Sequence, residues 1–311
     1  MVPAREWTAR AATIKGAVML EPLATPPLAA DSPSESGYLL LETELIEQWL
    51  QSQPNVQGAP SLIDQLRRVD YACTRRWLWA DTLFHQHQTR GPLLVQFQGA
   101  SMLPHLFHEH WWRADGALMI RTTASIEQVL AHLRSILFIQ MPDGNPVRFR
   151  LQETAALAMV IGALQPERAA MLLGPLEELY WCDNSSVPPQ CWRFRKPEGP
   201  SFDEGFQLSA AELNSINSAL DTRYLQRQVA LTSQAPHGFT EDAQKQTQLW
   251  LEQLVLWGFS EPRHLDLALD ALRHPEHAAH ADHITRMLEE SCRSPGARAA
   301  HALNYLKSQG S

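Results

Sequence analysis

The sequence predicts an α+β protein, in which an N-terminal mixed α/β lobe with a small sheet is followed by an all-α C-terminal helical lobe. Two observations predict this division. Short apolar runs at residues 93–97 and 117–120 are typical of strands buried inside a sheet, whereas the last third of the chain has a helical pattern throughout. We therefore expect a flexible leader over residues 1–36, an α+β domain over 37–200 and a helical lobe over 201–311.

The leader is predicted from its composition. Five prolines stand among Ala, Ser and Thr in the first 36 residues, and such a segment favours neither helix nor strand. The apolar run at residues 38–41 then predicts the start of a short strand, and Ser61 is placed to begin a helix.

The clearest element of the α+β domain is a helix that begins near residue 125. Ser125 and Gln128 form the S-x-x-Q pattern of a capping box, which satisfies free N–H groups at the start of a helix. Apolar residues follow at spacings of three, four and seven, so one face of the helix is apolar. Residues 136–139 are expected to lead into a third strand.

A turn and a returning strand come next. In the run Pro142, Asp143 and Gly144, proline presets φ and glycine tolerates a positive φ. After it, apolar residues alternate with Arg148 and Arg150, which predicts a fourth strand.

The end of the α+β domain carries one more helix and a hairpin. Gly174 and Pro175 are expected to end a helix that begins at Pro166. Residues 179–181 predict a strand, and the alternation over 191–195 predicts an edge strand.

The helical lobe is predicted to contain about five helices. Nine cationic and fourteen anionic side chains give it a net charge of −5, more than half of the −8 of the whole chain. This lobe is therefore expected to present an acidic surface.

Composition excludes several classes of protein. With 44% hydrophobic residues and ten tryptophans, the chain is not wholly disordered. Its negative charge argues against a general nucleic-acid binder. Its apolar runs are too short for a membrane span or a secretory signal, so we expect a cytoplasmic protein.

Four cysteines show no metal-binding pair. Cys182 and Cys191 flank a Pro-Pro loop and are close enough in sequence to approach each other. Whether they pair is left open.

Catalytic and metal-binding patterns are weak. Ser101 follows half of a nucleophile-elbow motif but lacks its closing glycine. His105, His108 and His110 lie too close together for the spacing of a zinc protease. A second series, His274, His277, His280 and His283, drifts by 60° per step on a helix, so neighbouring pairs could bind a metal ion but all four cannot share one site.

Residues 111–181, read as one unit, resemble the bacterial type VI secretion effector-chaperone family, domain of unknown function 4123. The similarity lies in the order of several short features: Trp111-Trp112, Leu118-Met119-Ile120, Thr123-Ala124-Ser125-Ile126-Glu127, Pro142-Asp143-Gly144, Arg148-Phe149-Arg150 and Gly174-Pro175-Leu176. The chain departs from the family pattern at Arg113, where members often have glycine. It departs again over residues 151–154, where they often have an aromatic-Asp-Pro-Arg stretch.

The resemblance implies a non-enzymatic adaptor without a cofactor. Such proteins bind one toxic effector in the cytoplasm of a Gram-negative bacterium and help to load it onto the VgrG spike or its PAAR tip. Because Trp and Arg are enriched at protein interfaces, we expect effector contacts at the following residues: Trp111, Trp112, Arg148, Arg150 and Trp192.

Two alternatives stay open. One is a metal-dependent hydrolase that uses the cluster His105, His108 and His110. The other is an immunity protein that neutralises a toxin.

Overall fold

A computed structural model of the chain describes residues 20–25, 36–53, 61–98, 101–184, 189–197, 206–233, 241–259, 261–290 and 292–309. The chain divides into two compact units, Met1–Leu220 and Asp221–Ser311. A mixed α/β first unit and a helical second unit confirm the predicted fold class. Most of the predicted leader, residues 1–19 and 26–35, lies outside the described residues.

Nine strands are described in the first unit: β1 (Leu20–Leu23), β2 (Gly37–Glu42), β3 (Arg75–Trp77), β4 (Pro92–Phe97), β5 (Ala117–Arg121), β6 (Phe138–Gln140), β7 (Pro146–Arg148), β8 (Glu178–Asp183) and β9 (Gln190–Arg195). Seven of them form one antiparallel sheet in the order β1-β9-β8-β5-β2-β4-β3. The other two, β6 and β7, form a separate hairpin.

The main sheet is covered on both faces. In β2, Leu40 faces one hydrophobic core, and Leu39 and Leu41 face the other, because successive side chains point to opposite faces. All three leucines are fully buried. Burial on both faces explains why the central strands β2, β4 and β5 consist largely of continuous apolar runs.

Six α-helices of this unit lie outside the sheet: α1 (Thr43–Ser52), α2 (Leu62–Val69), α3 (Leu103–Glu109), α4 (Ile126–Ser135), α5 (Thr154–Ala163) and α6 (Pro166–Leu173). The first three supply side chains to the core that contains Leu39, which we call the second core. The other three supply the core that contains Leu40, which we call the first core. Two 3₁₀ helices, His85–Arg90 and Trp111–Ala114, are also described in this unit.

Five helices are described in the part of the chain predicted to contain about five: α7 (Ala210–Ser233), α8 (Glu241–Leu256), α9 (Pro262–Arg273), α10 (His277–Glu289) and α11 (Pro295–Gln309). Ile216 and Leu220 of α7 belong to the first core, which is why the compact units divide at residue 220 and not at the expected 200. The second unit has its own core, which includes Phe259, Ile284 and Leu306.

Arg298 is buried at the centre of the second unit. Its Nη1 donates to the Leu288 carbonyl at 2.6 Å, and its Nη2 donates to the Trp257 carbonyl at 2.8 Å. The guanidinium also lies 4.7 Å from the centre of the Phe259 ring. This one side chain therefore joins the ends of α8 and α10 to α11.

The structure differs from the expectations at the borders of the sheet. Leu20–Leu23, inside the predicted leader, is strand β1 and pairs with β9. As a result β9 is not the predicted edge strand, since β1 lies outside it. The predicted fourth strand ends at Arg148 and pairs only with β6, so it does not join the main sheet.

The predicted local motifs are confirmed. Ser125 and Gln128 make both hydrogen bonds of the capping box at the start of α4. Pro142, Asp143 and Gly144 form the turn between β6 and β7, where Gly144 has a φ of +81°. The Asp143 carboxylate accepts two hydrogen bonds from Asn145, which lower its pKa.

Gly174 ends α6, as the sequence predicts, and has a φ of +53°. The carbonyl of the following Pro175 accepts a hydrogen bond from the Thr122 hydroxyl at 2.6 Å. This bond ties the end of α6 to the residue after β5.

Cys182 and Cys191 face each other across β8 and β9 and form a disulfide. The pairing that the sequence left open is therefore made in this structure. Cys73 and Cys292 are free thiols.

Candidate functional site

Three aromatic rings line up beside α4 in the first unit. Trp79 and Phe84 lie in the segment between β3 and β4, and their ring centres are 5.1 Å apart. Phe138 of the hairpin stacks on Phe84, with 5.9 Å between ring centres and 18° between ring planes. Gly91 permits this arrangement, because a Cβ atom there would overlap the Trp79 ring.

Arg148 lies over two of these rings. Its guanidinium carbon is 4.6 Å from the centre of Trp79 and 5.0 Å from that of Phe84. Register explains its position, because Arg148 pairs with Phe138 across the hairpin and so points to the same side. We call the set Trp79, Leu83, Phe84, Phe138 and Arg148 the aromatic–arginine surface.

The charge of Arg148 has no close counterpart. It makes no hydrogen bond and no ion pair with any residue that the structure describes, and its Nε atom is buried without a partner. Burial and the neighbouring Arg150 lower the pKa of Arg148, and the charges of Glu42 and Glu153 offset part of that effect. Arg150, by contrast, is exposed and forms an ion pair with Glu153.

A buried carboxyl group lies near the two arginines. Glu42 is 6% exposed and accepts a hydrogen bond from Gln152 Nε2 at 2.6 Å. Burial raises the pKa of Glu42, while Gln152 and the charges of Arg150 and Arg148 counter part of this rise. Glu42 is thus held by Gln152 and does not form an ion pair with Arg148.

Two large apolar side chains at this surface are open to solvent. Leu83 is 88% exposed, and Phe138 is 38% exposed. Next to them is a groove of about 540 Å³, lined by Asp81, Thr82, Leu83, His85, Arg134, Leu137 and Phe138. An apolar groove beside a stacked arginine is suited to binding a side chain of another molecule.

Of the five residues predicted to contact an effector, the structure brings two together. Arg148 and Arg150 lie at the hairpin, and Arg148 is part of the aromatic–arginine surface. The prediction for Trp111 is corrected: its ring is fully buried in the second core and offers nothing to a partner.

Trp112 and Trp192 lie apart from that surface. Trp112 is half-buried against the second core, on the other side of the sheet from the first core. Its carbonyl accepts a hydrogen bond from Asn184 Nδ2 at 2.8 Å. Trp192 of β9 is half-buried against the first core, and its Nε1 is buried without a partner.

The residues considered as a catalytic nucleophile or as metal ligands make contacts with their neighbours in the fold. The Ser101 hydroxyl donates to Asp70 Oδ2 at 2.8 Å and accepts from the Leu103 amide at the start of α3. His105 and His110 are half-exposed and lie 3.1 Å and 3.7 Å from the two carboxylate oxygens of Glu109. In the part of the chain that the structure describes, no group of three or more His, Cys, Asp or Glu residues is arranged to hold a metal ion.

The second histidine series packs against aromatic rings. His277 meets the edge of Trp250 at 6.0 Å, and His280 and His283 lie 5.4 Å and 4.6 Å from Tyr305. Trp250 itself is only partly buried, as is Trp257, so these two pack at the border of the core of the second unit.

Sequence reasoning missed four members of the surface: Trp79, Leu83, Phe84 and Phe138. A local signal exists for two of them, because Leu83 and Phe84 form an apolar pair between polar residues in a segment with no apolar periodicity. No local signal places Trp79 and Phe84 under Arg148, which is 69 and 64 residues further along the chain.

Among the described residues, no helix combines the length and the apolar character needed to cross a membrane. Residues 40–170 match the model of a family described as "Domain of unknown function (DUF4123)". That family is associated with type VI secretion effector adaptors. No curated protein and no solved structure matches the chain.

Proposed function

We propose, on the premise that residues 40–170 form a DUF4123 domain, that this chain is a non-enzymatic adaptor for one type VI secretion effector. In this role it binds the effector in the cytoplasm and helps to load it onto the VgrG spike or its PAAR tip. The observation that carries the proposal is the family match, which includes every residue of the aromatic–arginine surface.

The chemistry of that surface supports binding more than catalysis. Its members are aromatic, aliphatic and guanidinium groups, which supply contact area and fixed charge instead of a nucleophile or a general base. Trp and Arg in a partly desolvated position are typical of residues that dominate protein–protein binding.

The test is co-expression of this chain with the toxin encoded beside its gene. We expect the two proteins to co-purify through affinity and size-exclusion steps at a fixed ratio. We also expect deletion of this gene to lower export of that toxin from the donor cell while leaving other effectors unchanged.

The same experiment separates an adaptor from an immunity protein. An adaptor affects export from the donor, whereas an immunity protein protects a recipient cell that is exposed to the toxin. Absence of co-purification together with unchanged export would contradict the proposal.

A further inference from the structure

We infer that the aromatic–arginine surface binds an acidic, apolar segment of the effector, with a carboxylate at Arg148 and an apolar side chain in the groove beside Leu83 and Phe138. This inference rests on the proposed function and assigns it a place and a chemistry.

The first argument is the balance of charge at the surface. Two neighbouring arginines have carboxylate partners: Arg134 lies 3.4 Å from Asp81, and Arg150 is paired with Glu153. Arg148 has no such partner among the described residues and is partly desolvated by the rings beneath it. Because a cation in such a place is stabilised by a charge-assisted hydrogen bond, the chemistry favours a carboxylate from outside.

The second argument is preorganisation. Trp79 and Phe84 hold the Arg148 side chain in one direction from below, so little side-chain entropy is lost when its outer face is bound. Its planar guanidinium offers parallel N–H donors that match the two oxygens of a carboxylate. A lysine at this position would keep the charge but would lose both the stacking on the rings and the pair of parallel N–H donors.

The third argument is the continuity of apolar surface. Phe138 stacks on Phe84, and Leu83 and Phe138 line the same groove. Single exposed apolar residues are ordinary on proteins, but here two of them, Leu83 and Phe138, line one groove of about 540 Å³. The groove is open to solvent, so an apolar side chain of a bound segment can enter it.

The occupant is therefore a segment in which Asp or Glu stands within a few residues of an aromatic or aliphatic side chain. A basic segment is disfavoured, because it would place a second positive charge against Arg148.

The test uses the full chain and labelled 15-residue peptides that tile the co-purifying effector, with binding measured by fluorescence anisotropy. The variants are R148A, R148K and L83E. The matched control is R67A, since Arg67 is an exposed arginine on α2, which packs against the second core on the opposite face of the sheet. Leu83 is so exposed that L83E tests the surface without disturbing the core. Melting curves check that each variant is folded.

We expect the tightest peptide to contain an acidic residue next to an apolar one. R148A and L83E should each raise its Kd about tenfold or more, R148K should lie between R148A and the wild type, and R67A should change it less than about twofold. Replacing the peptide's acidic residue with its amide should weaken binding to the wild type but have little further effect on R148A.

Two results would overturn the inference. If the wild type binds the effector and R148A and L83E bind it equally well, the surface is not the site, although the adaptor role stands. If the wild type binds no effector at all, the inference falls together with the proposed function.

Discussion

Gly174 lies directly against the imidazole ring of His132, so that a Cβ atom at position 174 would overlap the ring atoms Cε1 and Nδ1. Gly174 also has φ +53° and ψ −117°, a conformation that residues with a Cβ atom rarely adopt. The Nε2 atom of the same His132 is 3.0 Å from the Leu172 carbonyl. These contacts hold the end of α6 against α4.

This relationship predicts a large cost for G174A, because the new methyl group meets both an unfavourable backbone and an occupied space. We expect a loss of about 2–5 kcal/mol in the free energy of unfolding, measured by urea denaturation. G144A is the matched control: Gly144 also has a positive φ, but no atom lies within 4 Å of its Cβ position. It should cost only about 1 kcal/mol. Equal losses for the two variants would contradict the role of His132.

The same histidine predicts a dependence of stability on pH. Burial lowers the pKa of His132 below 6.5, so the unfolded chain takes up a proton at a pH where the folded chain does not. Stability from this group is therefore present above about pH 6.5 and is lost as the pH falls towards the folded pKa. The urea midpoint should decrease from pH 7.5 to 5.5, and H132Q should show a smaller decrease.

His277 adds to this effect with the same sign, since burial lowers its pKa as well. The comparison of H132Q with the wild type isolates the part that belongs to His132. If the urea midpoint of H132Q falls with pH as steeply as that of the wild type, then His132 does not cause the pH dependence.

The hydrogen bonds of Arg298 predict that the substitution R298A lowers the stability of the second unit. R298A removes two hydrogen bonds from a charged donor to the Leu288 and Trp257 carbonyls and leaves both acceptors without that donor. We expect a cost of about 3 kcal/mol, visible as an earlier loss of helical circular dichroism on heating. R293A changes an exposed arginine a short distance earlier in the chain and should cost less than about 0.5 kcal/mol. An R298A protein as stable as R293A would count against this account.

The disulfide predicts a thiol count. Without reductant, a thiol reagent in denaturant should detect two free cysteines, Cys73 and Cys292. After reduction it should detect four, because Cys182 and Cys191 are then released. Four reactive thiols before reduction, in protein prepared without reductant, would show that β8 and β9 pair without this bond.

The parts of the fold that sequence predicts well are set by neighbours in the chain. The α4 capping box involves Ser125 and Gln128, three residues apart, and the turn at Pro142 to Gly144 depends on the φ preferences of adjacent residues. Strand β4 is an apolar run whose burial on both faces is visible in its composition.

The parts that sequence misses depend on contacts between distant residues. The alternation at β9 is typical of a sheet edge, but β1 pairs with that edge from about 170 positions earlier in the chain. In the same way, the adjacent Trp111 and Trp112 indicate that one ring points outward, but tertiary packing alone decides that Trp111 is the buried one. At the candidate site, the residue type of Arg148 is enough to predict a contact residue, whereas only the folded structure shows that Trp79 and Phe84 lie beneath it.

The pairing of β1 with β9 has a consequence for how the chain is cut into fragments. A fragment trimmed to the family match at 40–170 would lose β1, β8, β9 and the first half of β2, leaving the apolar edge of β5 uncovered. The stretch that matches the family model is thus smaller than the stretch that packs together, which reaches at least from Leu20 to Leu220. An expression fragment designed on the match alone would therefore cut through the main sheet.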